Sequence, residues 1–152
     1  MDSIALVSPA ADLHDVAAER LGRQGQRYTP GRRVLVEVLA EADAPLTILE
    51  VVARGDALAQ SSAYRNLSVL EQAGVVDRII SGQERARFEL AHDLTAHHHH
   101  LICSACGSVR DFTVSERLEA QLERTLRLTA EQNDFDVQHH RLDMVGTCAA
   151  CR

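Results

Sequence analysis

The chain contains no lysine, and all sixteen of its basic residues are arginine. No apolar run approaches the roughly twenty residues that span a bilayer, and the N-terminus lacks the basic stretch and apolar core of a secretory signal. These absences predict a cytoplasmic protein with no membrane partner. Cysteine is missing from the first ninety residues, where histidine occurs once, at His14, while the rest of the 152-residue chain holds all four cysteines and seven histidines. So uneven a distribution predicts two short domains, each with a modest core. No βαβ pattern surrounds either Cys-x-x-Cys motif, which weighs against a redox pair. No His-Glu-x-x-His helix signature is present, which weighs against a zinc hydrolase with three ligands and an open coordination position. No enzymatic activity is expected.

A formal charge of −6 argues against a nucleic-acid partner, but its distribution reverses the inference. Arg20, Arg23, Arg27, Arg32 and Arg33 fall in one stretch with no acid between them. Such a patch can meet phosphate, and guanidinium forks suit phosphate and guanine alike. The plainer alternative is a solvated helix face.

Along the chain, residues 1–12 are expected as a loose arm, followed by a first helix through Leu13, Val16, Ala17 and Leu21. Thr29-Pro30 reads as an N-cap with proline at the first helical position, and Val34, Leu35, Val38 and Leu39 supply the buried stripe of a helix over 30–41. Thr47 can cap a third helix. A fourth opens at Gln60-Ser61-Ser62, buries Ala63, Leu67 and Leu70, and stops at Gly74. The period then changes to two: residues 75–80, a turn at 81–84, and residues 85–90 with Ala86, Phe88 and Leu90 alternating predict a β-hairpin.

Helices followed by a hairpin make a winged helix-turn-helix over 13–90. Its last helix enters the major groove by its N-terminal half, presenting Ser62, Tyr64 and Arg65, while the wing offers Arg85 and Arg87 to the DNA backbone. Helix-turn-helix folds also serve as protein contacts, so a protein partner stays open at this point.

Residues 91–96 read as a hinge, and 97–152 as a metal-binding domain. His97 to His100 run into the apolar Leu101-Ile102, so a strand would send His97 and His99 to one face and His98 and His100 to the other. Four consecutive imidazoles therefore imply two sites. Ser115 caps a further helix carrying Leu118, Leu122 and Leu126, and residues 135–145 are expected as a second strand. There His140 is open to two readings, a satisfied core residue or a ligand. Cys103, Cys106, Cys148 and Cys151 form two knuckles whose four thiolates can close tetrahedrally on a structural zinc. That closure ties the chain end to the strand after the histidine run and adds folding free energy to a small domain.

Arg27-Tyr-Thr-Pro30 with Arg32, Ser62-Ala-Tyr-Arg-Asn-Leu67 with Leu70 and Gly74, Phe88-Glu89-Leu90, the histidine run, Cys103 with Cys106, and Gly146-x-Cys148 together resemble the ferric uptake regulator family of metal-dependent bacterial repressors. The resemblance covers nearly the whole chain from about Leu21. It implies an α+β chain: an N-terminal winged-helix DNA-binding domain joined to a small C-terminal α/β dimerisation domain with a structural zinc. It further implies a sensory metal on Asp77, Glu89, His98 and His100, and another site on His97, His99, Glu119 and His140.

The sequence also departs from that family. Ala44-Pro45-Leu46 stands where iron-type members carry a histidine, and Glu89 stands where zinc sensors place cysteine. The long connector makes His92 or Asp93 a substitute for Glu89, His99 replaces a common Asp, and Glu119 matches with one residue inserted after Phe112. The regulatory ion is zinc, iron(II) or manganese(II), with the missing iron-type histidine and the presence of Asp77 tilting the choice to zinc.

The implied function is metal-controlled repression. A homodimer loaded with its ion binds an inverted-repeat operator in double-stranded DNA to govern metal homeostasis genes. Peroxide sensing is a variant within the family. A zinc-binding interaction or storage module would account for the C-terminal half alone and leave the winged helix without purpose.

Overall fold

Thr29 and Pro30 start a helix where their order requires it. In the computed structural model, which describes residues 9–56, 58–81 and 85–152, the Thr29 hydroxyl accepts from the Arg32 amide at 3.4 Å and opens α2, Pro30–Ala40. Its buried side is Leu35, Val36, Val38 and Leu39, so Val36 replaces Val34 in the expected stripe. The preceding helix, α1, spans Pro9–Arg23. Residues 1–8 of the expected arm lie outside the described residues, whereas 9–12 are helical and not an arm. Proline at the first position and Asp12 in the first turn are start signals that favour helix there.

Leu46–Thr47 form a short strand, β1, that the sequence does not announce because two residues carry no alternation. Thr47 then caps α3, Ile48–Arg54, in a full capping box with Glu50. Helix α4, Gln60–Gln72, buries Ala63, Leu67 and Leu70 completely at i, i+4 and i+7. Gly74 ends it with φ +71°, a left-handed conformation that a side chain would strain, and Val75 N–H returns to Leu70 O at 2.9 Å.

The wing consists of β2, Val76–Ser81, and β3, Arg85–Leu90, paired antiparallel with Asp77 opposite Glu89 and Ile79 opposite Arg87. Residues 82–84 of the expected turn lie outside the described residues. β1 pairs on the other edge of β3, giving the order β1-β3-β2. Strand alternation sorts β3: Phe88 and Leu90 enter the core formed with α1 to α4, so Arg85, Arg87 and Glu89 take the opposite face.

That face meets the second half of the chain. A 3-10 turn at His92–Leu94 occupies the expected hinge, and Arg20 holds Asp93 by a paired salt bridge. Strand β4, His99–Cys103, begins two residues later than expected. It lies between β5, Val109–Phe112, antiparallel, and β6, Asp143–Gly146, parallel. The strand expected over 135–145 shrinks to this last stretch, where hydrogen bonding to β4 begins. Helix α5, Glu116–Gln132, is capped by Ser115 and buries Ala130 alone among its residues. Ile79 from the wing packs with Ile102 and Val109 to form a small apolar joint between the halves.

Replacing Thr29 with alanine removes one amide partner at the start of α2. Urea unfolding should then show a loss of about 1 kcal/mol with no change in metal content.

Candidate metal centres and DNA-facing surface

Three clusters of ligand-bearing side chains arise where the strands bring distant residues together. The first is Cys103, Cys106, Cys148 and Cys151, all free thiols. The β4–β5 turn delivers Cys103 and Cys106, and the chain beyond β6 delivers the other two. Cys106 Sγ and Cys148 Sγ stand 3.8 Å apart, matching the roughly 3.8 Å edge of a tetrahedron built on zinc–sulfur bonds of about 2.3 Å. Backbone N–H groups, first that of Cys106 and then that of Cys148, pull the Cys103 thiol down to about 6. The neighbouring sulfurs, Cys148 foremost, push Cys151 up to about 12. Four such thiols can all ionise together only around a cation, so the donor set fits the structural zinc.

The imidazole run divides two and two, with His99 and His100 in β4 and His97 and His98 just before it. His97 and His99 turn to Glu119 of α5 and to His140. His99 Nε2 lies 2.9 Å from one Glu119 oxygen, while the other lies 2.8 Å from His140 Nε2 and 3.0 Å from His97 Nε2. Yet His99 Nδ1, His140 Nε2 and Glu119 Oε1 are buried without a properly angled hydrogen-bond partner among the described residues. Of these, His140 Nε2 and Glu119 Oε1 lie together beside His97 Nε2 and His99 Nε2, an arrangement that a metal ion satisfies.

His98 and His100 turn the other way, to Glu89 of the wing and Asp111 of β5. Their Nε2 atoms lie 3.1 and 3.2 Å from Glu89, and Asp111 stands back at 3.9 Å from each. The far nitrogens are already committed, His98 Nδ1 to the Ala96 carbonyl at 2.9 Å and His100 Nδ1 to Asp143 at 3.1 Å, which leaves both Nε2 atoms aimed inward. Burial would raise the Glu89 pKa, but hydrogen bonds and charge from His100 and His98 hold it below the ordinary carboxylate range. Burial would lower both imidazoles, but the Ala96 carbonyl, Glu89 and Asp143 raise them instead. The donor set fits a divalent ion.

Asp77 does not join this group. Its carboxylate accepts the His92 amide at 3.1 Å and lines a chamber of about 20 Å³ beside Glu89, His98 and His100. His92 stacks on His139 with centroids 3.7 Å apart, and Asp93 is held by Arg20, so neither replaces Glu89. Asp111 and Asp143 are the residues that sequence reasoning missed. Counting back through the knuckle finds the first, because the β4–β5 register sets Asp111 opposite His100. Asp143 faces His100 through a parallel pairing of distant segments, which no local pattern announces.

On the DNA side, Ser62, Tyr64 and Arg65 are exposed along the first half of α4, and Arg27 is exposed beside it. Arg32 differs: it donates to Asn66 at 3.1 Å, to the Arg27 carbonyl at 2.6 Å and to Gln26 at 3.2 Å, bracing residues 26–27 against α4. Arg85 is exposed and Arg87 is part-buried. They donate to the Cys106 and Gly107 carbonyls at 3.4 and 2.9 Å, because they share a strand face with Glu89.

A winged helix-turn-helix joined to a small sheet domain that carries clustered histidines and paired cysteine knuckles defines a metal-binding, DNA-binding class of two-domain protein. The sequence profile of the ferric uptake regulator family matches residues 23–145, and the chain belongs to that family. It is 29% identical over 154 residues to the peroxide-responsive repressor PerR of Staphylococcus aureus (strain USA300), covering 99% of this chain and 98% of that protein. Among solved structures it is similar to a zinc-bound manganese uptake regulator, at 31% identity and TM-score 0.60 over 90% of this chain and 98% of that one. It is also similar to the Vibrio cholerae ferric uptake regulator, at 26% identity and TM-score 0.64 over 86% and 98%. Among the described residues no helix is long and apolar enough to cross a membrane.

Asp143 orients His100, so Asp143→Ala should weaken ion uptake at the Glu89 cluster about 10- to 100-fold while elemental analysis still finds the cysteine-bound zinc. Ligating imidazoles must be neutral, and their raised pKa values let protons compete. Affinity at this cluster should therefore fall as pH is lowered through the histidine range, with as many as two protons released per ion, which calorimetry in buffers of different ionisation enthalpy reads directly.

Proposed function

We propose that the protein is a metal-responsive transcriptional repressor that binds an inverted-repeat operator as a metal-loaded homodimer. One observation carries this reading: Glu89 comes from the wing of the DNA-binding half, and His98, His100 and Asp111 come from the second half, yet their ligand atoms lie within 4.8 Å of one another. An ion bound there holds the two halves in one relative orientation. In a two-fold dimer that orientation fixes the spacing of the two α4 helices, and so which half-site separation fits.

The exposed apolar surface of the second half supports the dimer. Leu118 and Leu128 of α5 are half-exposed, all four residues of β6 face solvent, and Leu101, Met144 and Val145 line an open groove of about 470 Å³. Surface of this kind marks an interface. The zinc-binding thiols, Cys103, Cys106, Cys148 and Cys151, keep that half folded. His97, His99, Glu119 and His140 hold a further ion within it, anchoring α5 to the β4 end.

The regulatory ion is first-row and divalent. Two imidazoles and two carboxylates without a thiolate suit manganese(II), iron(II) and zinc alike. Of the two grounds for zinc, the missing iron-type histidine at Ala44-Pro45-Leu46 stands, whereas Asp77 lies outside the Glu89 cluster, and the relatives include a peroxide-responsive repressor and a manganese uptake regulator. Tyr64 and Arg65 would read the groove.

A chelator too weak to strip the four-cysteine zinc should lower operator affinity by about 5- to 150-fold while sedimentation still reports a dimer. Glu89→Ala should reproduce the chelated state without any chelator. Operator binding that is indifferent to both treatments contradicts metal sensing.

A further inference from the structure

Arg87 is the side chain that joins the DNA-binding half to the cysteine knuckle. Its Nε donates to the Gly107 carbonyl at 2.9 Å, and its Nη1 donates to the Pro45 carbonyl at 3.1 Å and to Glu50 at 3.2 Å. The side chain is 14% exposed. Gly107 belongs to the knuckle: it follows Cys106 with φ +72°, and its N–H returns to the Cys103 carbonyl at 2.9 Å. Pro45 immediately precedes β1, and Glu50 lies in the first turn of α3, where it completes the Thr47 capping box, and α3 packs on α4. Arg85 repeats the link at the rim, donating to the Cys106 carbonyl. Directly across the hairpin from Arg87, Ile79 packs on Ile102 and Val109 of the second sheet.

The geometry points to a second role for the four-cysteine knuckle: through Arg87 it positions the helix-turn-helix for DNA, so Arg87 is a positioning residue and not a phosphate contact. Glu89, two residues further along β3 on the same face, is the tether that an ion can tighten or release. Arg87, roughly 6.6 Å away along the strand, is held by the Gly107 and Pro45 carbonyls and Glu50, none of which belongs to the Glu89 cluster. One tether leaves the wing free to swivel, and two fix its direction. The knuckle contact is therefore the pivot, and the ion at Glu89 selects the angle about it. A planar guanidinium presents its donors in a fixed fork to acceptors from both halves at once, a spread and direction that the compact ammonium of lysine does not hold.

This inference rests on the operator reading above, and its test separates the two. An inverted-repeat duplex is first selected from a random pool with ion-saturated wild-type protein. Wild type, Arg87→Lys and Arg85→Ala, each saturated with the same ion, are then titrated with that duplex and with one carrying a single half-site. Arg87→Lys should bind the inverted repeat about tenfold more weakly and the half-site as wild type does, with zinc content and dimer unchanged, because a misaligned pair of reading helices matters only when both must dock. Arg85→Ala should show the same pattern to a smaller degree, and it decides the matter if Arg87→Lys does not fold. Equal losses on both duplexes would identify a phosphate contact and overturn the inference, as would no loss on either. Wild-type protein that does not prefer the inverted repeat to the half-site would sink the operator reading itself, and this role for Arg87 with it.

Discussion

The meeting of one wing carboxylate, Glu89, with two imidazoles of the second half, His98 and His100, is the contact on which the arrangement of the molecule depends. The hydrophobic joint between the halves is small, Ile79 against Ile102 and Val109. A joint of that size leaves relative orientation to directional polar contacts. Glu89 supplies one that an ion can switch, because a buried carboxylate facing two imidazoles exchanges protons for a divalent cation with little rearrangement of the side chains around it.

The four adjacent histidines fall into two clusters, with His99 and His100 on opposite faces of β4 and His97 and His98 just before it. One face gathers a site within the second half, on α5 and His140, and the other gathers a site shared with the wing. The two clusters differ as their places suggest. The inner one contains buried atoms left without bonded partners, a set completed by an ion. In the shared one every imidazole carries an outer hydrogen bond, to Ala96 or Asp143, so the ligands stay aimed before any ion arrives. Such preorganisation suits a reversible sensor, since little ordering accompanies binding.

Much of this was legible in the residues. Thr29-Pro30, the Thr47 capping box and Gly74 mark helix ends by local chemistry, and the structure places those ends there. Strand alternation separates His99 from His100 within β4, and His97 and His98, just before the strand, join the same two clusters. The same rule, carried one step further, places Arg85 and Arg87 on the face of Glu89, where both donate to carbonyls of the cysteine knuckle. Asp111 follows from register across the knuckle, while Asp143 depends on parallel pairing between segments some forty residues apart. Asp77 failed to join the ligands although it lies opposite Glu89, because its carboxylate caps the His92 turn. That outcome is tertiary, and no spacing in the chain announces it.

The most direct measurement is anomalous diffraction from crystals of the manganese-loaded protein, with the ion located at its own absorption edge. The account predicts an ion whose coordination shell includes a Glu89 oxygen together with the Nε2 atoms of His98 and His100. An ion bound by His98, His100 and Asp111 with the Glu89 carboxylate turned away would contradict it, since nothing would then connect metal occupancy to the orientation of the wing.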